Sequence, residues 1–348
     1  MIIFIVIVGL VFLILTHELG HFLAAKLFKV KVTEFGFGYP PKIIGKQIGE
    51  TEYSLNALPF GGFVKIEGLA EDPEEAEKLS LASKQGIESE HSFNNQPAYK
   101  KAIIISAGVI MNFLVGWALL FIVFKFGIPT SLIITNVLPN SPASSANLQS
   151  GDKILNFTSN TDFLNFINSH LGQPTNLEIL RNGKEINVAI TPREKSIPGQ
   201  GAIGIEYVQT GIPKEPIWPA IGDSLKQAFT LSFFIIQVFV QLVIGLFHGL
   251  LLNGVVGPIG VFSVAQQVGG LGVMFLVNMF ALIALNLAVL NLLPLPALDG
   301  GHLLIILIEK IKGSEISYKA KAWVNQLGFA FLIILMILIS VRDIIHLF

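Results

Sequence analysis

Two imidazoles and a carboxylate stand together at His17-Glu18-Leu19-Gly20-His21, and their types and spacing suit a metal ion. On a helix, positions i and i+4 share one face a turn apart, so both imidazoles can grip a single Zn²⁺. Glu18 lies close to that face, where a carboxylate can take the proton of an attacking water. The same five-residue pattern also occurs in ordinary amphipathic helices as solvated polar side chains. The flank argues against that reading: residues 1–15 carry no charge and are almost all Ile, Val, Leu or Phe. A charged group at mid-membrane costs ~2.5–3.5 kcal/mol, so ionisable residues on such a helix are normally functional.

A catalytic zinc site takes three protein ligands and keeps one position open. Cysteine is absent, which leaves imidazole and carboxylate. Nothing suitable lies near His21 in sequence. The candidate is Asp299, which follows Pro294 and Pro296 at the end of a later apolar run. Irregular backbone at such a place is tolerated only where it lines a cavity or is buried in protein. Without the histidine pair, the same Asp-Gly would read as a turn at the water interface.

The chain that must position these groups is built for a lipid bilayer. Of its 348 residues 52% are hydrophobic and 14% charged, with mean hydropathy +0.66, against about 25% charged in soluble domains. A net charge of −1 suggests no nucleic-acid partner. Four spans are expected, at 1–25, 102–126, 273–293 and 322–341. No basic residue precedes the first, while Lys26, Lys29 and Lys31 follow it. It therefore reads as a retained span, entering from outside, rather than a cleaved signal peptide. Lys100 with Lys101, and Lys310 to Lys321, mark further cytoplasmic ends, which leaves both termini outside.

Residues 228–252 are also long and uncharged enough to span. Two features oppose it. His17 late in the first span and Asp299 after the third can meet only if those spans run in the same direction, which an extra crossing would prevent. Gln227, Thr230, Gln237, Gln241 and His248 also gather along one helical stripe. The expectation is an amphipathic helix at the outer interface, polar stripe to water and apolar face toward lipid or the protease core, in a linker that ends in a glycine-rich stretch at 254–272.

Between the spans, residues 52–58 alternate in polarity, Pro59-Phe60-Gly61-Gly62 reads as a turn and residues 63–66 as a second strand. On residue types alone this is a surface hairpin. Residues 70–96 read as a solvated cytoplasmic loop. Asn112 falls inside the second span, where it serves as helix–helix glue or stands beside the site. Residues 127–213 suit one small α+β domain, with strands at 133–137 and 153–157 and a helix at 161–170. A hairpin of 177–180 with 186–190, closed at Asn182-Gly183, completes it. The run from Val137-Leu138-Pro139-Asn140-Ser141-Pro142-Ala143 to Gly151-Asp152-Lys153-Ile154 resembles a PDZ domain of the bacterial protease type. Such domains bind extended peptide ends at a sheet edge.

Taken together, His17-Glu18-Leu19-Gly20-His21 and the stretch from Asn291 through Asp299-Gly300-Gly301-His302 resemble the site-2 protease family of intramembrane zinc metalloproteases. The likeness is to the bacterial, PDZ-containing type and covers almost the whole chain. It implies a polytopic α-helical fold of four transmembrane helices, with a membrane-associated β-hairpin and one inserted PDZ domain. The implied divisions are a first half of the protease core at 1–126, the PDZ domain at 127–213, the linker at 214–272 and a second half at 273–348. The resemblance also implies Zn²⁺ held by His17, His21 and Asp299, with Glu18 as general base. It identifies Gly61, Gly62 and Phe63 with a hairpin that holds an extended substrate, against the surface-hairpin reading. Asn112 and Asn291, with Asn286 beside them, match positions linked to substrate handling, and either of the first two is a candidate to stabilise the oxyanion.

Substrates of the implied kind are transmembrane proteins: anti-sigma factors, signalling proteins or remnant signal peptides. The implied place is the bacterial inner membrane, with the PDZ domain outside. One departure stands out: Gly108-Val109-Ile110-Met111-Asn112 lacks the proline that the family commonly carries after the glycine. His302 is not a family ligand. Two rival classes are a peptide-binding adaptor, which needs none of the metal residues, and a metal transporter, which would string polar groups along a pathway.

Overall fold

The computed structural model describes residues 2–70, 73–85, 89–157, 159–181, 184–195, 200–247, 260, 265 and 272–347. The Asn182-Gly183 turn, His248 and most of 254–272 lie outside these. The chain forms two compact units, one of residues 1–121 with 222–348 and one of residues 122–221.

The elements begin with α1 (Ile2–Leu27), β1 (Val32–Ile48), β2 (Thr51–Ile66), α2 (Pro73–Lys84) and α3 (Ala98–Phe126). There follow β3 (Ile128–Val137), α4 (Pro142–Ser145), β4 (Lys153–Ile154), α5 (Asn160–Ser169), β5 (Thr175–Arg181), β6 (Lys184–Ile190) and β7 (Ile205–Ile212). The chain closes with α6 (Ile217–Phe247), α7 (Val273–Leu292), α8 (Asp299–Lys312) and α9 (Tyr318–Leu347).

In α1, α3, α7 and α9 the apolar stretch is long enough to cross a membrane, since about 20 residues suffice. Their directions follow from who meets whom. Val6 packs with Leu276 and Met279, and Gly9 faces the Phe280 ring. Farther along, His17 meets Asn291, so α1 and α7 run the same way. Between them α3 runs oppositely: His17 meets Asn112 and His21 meets Ile104. The close crossing is made by small residues, Gly20 lying against the backbone of Ala107 and Gly108.

The helix expected at 228–252 begins earlier, at Ile217, because Pro219 falls in the first turn, where its missing N–H costs nothing. Its apolar face packs on α3. Trp117 Nε1 donates to Ser224 Oγ at 3.2 Å, and the Phe113 and Phe229 rings lie 5.0 Å apart. From Ser224 onward α6 thus lies lengthwise along α3, burying Ala228 with Leu120 while Gln237 and Gln241 stay exposed. By Ala265, which is packed with Val6 and Leu276, the chain is back beside the start of α1.

A β-hairpin is present, but its partners are not those the alternation suggested. The turn is at Gly49-Glu50, with Ile48 opposite Thr51. Residues 52–58 and 62–66 do not pair with each other. The first half of β1 lies between them, Phe37 opposite both Gly62 and Leu55. Gly61 makes the necessary bend at φ +99°. Within the supposed loop at 70–96, Pro73 and two glutamates start helix α2, which suits the first-turn preferences for proline and acidic groups.

The second unit is a five-stranded sheet of order β6-β5-β4-β3-β7, its neighbours antiparallel. Leu132, Ile154, Phe163, Leu177 and Ile179 form its core. The strand expected at 153–157 is only Lys153–Ile154, and β7 was not anticipated. The Asp152 carboxylate is buried, taking two bonds from Arg181 and one from the Gln149 N–H. Burial alone would raise its pKa, but these donors hold it below the usual carboxylate range.

Candidate metal centre

Late in α1, His17 and His21 project from one face, and Asp299 meets them as the first residue of α8. Asp299 Oδ2 lies 3.2 Å from His17 Nε2 and 3.4 Å from His21 Nε2. The two Nε2 atoms are 3.2 Å apart. His21 Nδ1 is 2.9 Å from the Ile104 carbonyl oxygen, so Nδ1 donates its proton there and Nε2 keeps its lone pair inward. The Asn112 amide stands beside His17 Nδ1, 3.3 Å from Nδ2, while its own Oδ1 is buried without a partner. Turning that amide over presents the oxygen to an Nδ1–H, which leaves His17 Nε2 in the same state.

His17 Nε2, His21 Nε2 and Asp299 Oδ2 thus converge on one point, Asp299 Oδ2 being buried without a hydrogen-bond partner. A metal ion would satisfy all three at once. Ligand atoms ~2.0–2.1 Å from a tetrahedral zinc are separated by ~3.3 Å, which matches this triangle. The donor set, two nitrogens and one oxygen, is one that zinc accepts.

Local sequence explains the placement. Pro294 and Pro296 end α7, and Ala297 adopts the left-handed region at φ +70°, so the chain turns sharply into α8. Gly300 and Gly301 are required for space. A Cβ on Gly300 would strike the carbonyls of Leu292 and Leu293, and one on Gly301 that of Leu295. Gly108 has a similar role on α3, since a Cβ there would run into His21 Nε2 and stand 2.7 Å from His17 Cε1. Gly108→Ala should therefore push the imidazoles apart and weaken zinc binding by about 10-fold or more, the cost of disturbing the groups that orient ligands. Equilibrium competition with a zinc chelator measures it; unchanged affinity would show that α3 yields instead.

The triangle opens into a cleft of about 730 Å³. Glu18, Gly62, Phe63, Asn112, Asn291 and His302 all line it. Gly62 lies against Leu15, a Cβ there coming within 2.9 Å of Leu15 Cδ2, and Val64 lines the cleft together with Glu18. Gly61 is not in the lining and backs onto the Tyr39 ring. Asn286 is exposed on α7, away from the cleft. The sequence reading missed Asn325 and Gln326 of α9, which also line the cleft; a polar pair at the start of an apolar span was the available signal.

The profile of Peptidase family M50 matches residues 5–335. A Clostridium perfringens protein that carries a zinc metalloprotease name is 34% identical over 96% of this chain and 95% of its own. Zinc metalloprotease RasP of Geobacillus kaustophilus is 29% identical, covering 98% of this chain and 96% of its own. Regulator of sigma-W protease RasP of Bacillus subtilis is 27% identical over 99% and 98%.

Proposed function

The chain belongs to peptidase family M50, the site-2 proteases, and we propose that His17, His21 and Asp299 hold its zinc while Glu18 is the general base. In general terms it is a multi-pass membrane zinc metalloprotease of regulated intramembrane proteolysis. The single observation that carries the assignment is the triangle of ligand-type atoms at 3.2–3.4 Å.

Zinc, when bound, supplies a Lewis acid that makes water a nucleophile near neutral pH and polarises the scissile carbonyl. Glu18 takes the water's proton and returns it to the leaving amine. Asn291, whose Nδ2 lies beside His17 Nε2, would donate to the developing oxyanion, while Asn112 holds the other side of the His17 ring. A helical substrate must unwind before its carbonyl is reachable. Residues 62–66 pair with β1 on one side and border the cleft on the other. An extended substrate adds along that border through Gly62 and Phe63, replacing the backbone bonds it lost.

The second unit acts as a PDZ domain. β7 is an edge strand of its sheet, with the Tyr207 hydroxyl bonded to Asn160 at the start of α5; peptide ends would add at this edge and filter substrates. Those substrates are transmembrane proteins of the bacterial inner membrane, such as anti-sigma factors, signalling proteins or remnant signal peptides. The direct test uses the purified chain, in detergent with zinc, and a single-span anti-sigma factor. Product masses should map the cut within or beside the span, chelation should abolish it, and added zinc should restore it. Cleavage indifferent to chelation, or confined to sites remote from the span, would refute the reading.

Orientation has its own test. Because α1 and α7 run the same way, the crossings between α3 and α7 must be even in number. The second unit and the start of α7 then lie outside with both termini, whatever depth α6 reaches. In this cysteine-free chain, Lys153→Cys and Val273→Cys should react with an impermeant thiol reagent in intact cells, and Lys312→Cys only after lysis. Labelling of Val273→Cys from the cytoplasmic side alone would overturn that topology.

A further inference from the structure

Most of the loop that delivers Asp299 is braced locally: the N–H groups of Leu293, Leu295 and Leu298 bond to the carbonyls of Leu290, Leu293 and Leu295. Pro294 and Pro296 have no N–H, and Ala297 sits in the left-handed region. The one N–H left over at the bend is held from another helix: that of Ala297 donates to Asn325 Oδ1 at 2.8 Å. The donor is a backbone N–H, so the side-chain oxygen, not the amide nitrogen, must face it. One turn farther along α9, Gly328 lies flat on the same loop; a Cβ there would strike Pro296. The start of α9 is tied elsewhere too, by Lys321 to Glu309 at 2.6 Å and by Lys319 to Glu77 at 3.3 Å, but Asn325 and Gly328 are its points on the Asp299 loop.

We propose that Asn325 is a positioning residue for the reaction, holding the Pro296-Ala297 turn so that Asp299 completes the ligand triangle only while α9 is docked. The inference rests on Asp299 being a ligand. Because Asn325 also lines the cleft, a substrate lying against α9 bears on the same hydrogen bond that fixes the metal's carboxylate. The geometry of the site thereby depends on the wall that the substrate touches.

Zinc affinity of the full-length protein in detergent, by chelator competition, tests this without reference to cleavage. The visible spectrum of the Co²⁺-substituted protein reports on ligand geometry. Asn325→Leu removes the acceptor and should weaken zinc by about 10-fold or more, with a changed Co²⁺ spectrum. Asn325→Asp keeps an acceptor oxygen and should bind within about threefold of the parent, well below that second-shell range. Gly328→Ala, which lifts α9 from Pro296 and leaves Asn325 intact, should resemble Asn325→Leu and decides the matter if that variant does not fold. Parental zinc affinity and spectrum in Asn325→Leu would overturn the proposal, as would equal losses in the Leu and Asp variants. Asp299→Ala separates the two levels: if it keeps zinc, the ligand assignment itself falls, whereas loss there with none in Asn325→Leu refutes only the positioning role.

Discussion

Glu18→Gln should bind zinc as the parent chain does and lose peptide cleavage by about 10²- to 10⁴-fold, the span expected when a general base is removed. Glutamine keeps the shape of the side chain and an oxygen that can accept a hydrogen bond. It cannot take a proton at neutral pH. Glu18 contributes no atom to the triangle formed by His17, His21 and Asp299, so metal content should not change. The measurement pairs zinc stoichiometry with initial cleavage rates on one single-span substrate. Near-parental rates in a fully loaded variant would remove Glu18 as the base and send the search to another carboxylate. Loss of zinc along with activity would mean that Glu18 belongs to the ligand set.

The parts of this site that could be read in sequence are those where chemistry dictates spacing. A histidine pair at i and i+4 can serve one ion only on a helix, and α1 is uniformly apolar, so His17, Glu18 and His21 stood out at once. Asp299 was reachable because two prolines and two glycines surround it, and the structure shows the glycines packed under carbonyls. Pairings across distance were not legible. The alternation of residues 52–58 correctly indicated a strand, but not that β1 would insert between it and residues 62–66, because a strand's pattern does not name its neighbour. β7 was missed although Ile205-Glu206-Tyr207-Val208 has strand-forming types between glycines. The polar stripe of α6 was legible, but not that Phe229 on its other face would meet Phe113. Of the positions that support the site through space, Gly108 beside the imidazoles shows nothing in sequence of what it faces, and Asn325 on the Asp299 loop offered only the polar pair it forms with Gln326 at the start of an apolar span.

Asp299 and His302 stand one turn apart on α8 and both face the cleft, yet they should answer a metal assay very differently. Asp299→Ala removes one of three donor atoms and leaves two imidazoles, too few for a zinc site that needs three protein ligands. Its affinity should fall by more than about 100-fold, the upper end of what a merely supporting residue costs, and cleavage should become undetectable. His302→Ala removes a cleft-lining side chain that contributes nothing to the triangle, so its zinc affinity should change by less than about 10-fold, the lower end of that range. Any drop in its cleavage rate should come from altered substrate contact. Chelator competition on both variants, with His17→Ala as the reference for a lost ligand, reads the difference directly. If His302→Ala tracks His17→Ala while Asp299→Ala retains its zinc, the third ligand is the imidazole one turn farther along. The Asp-Gly-Gly sequence would then serve only to start α8.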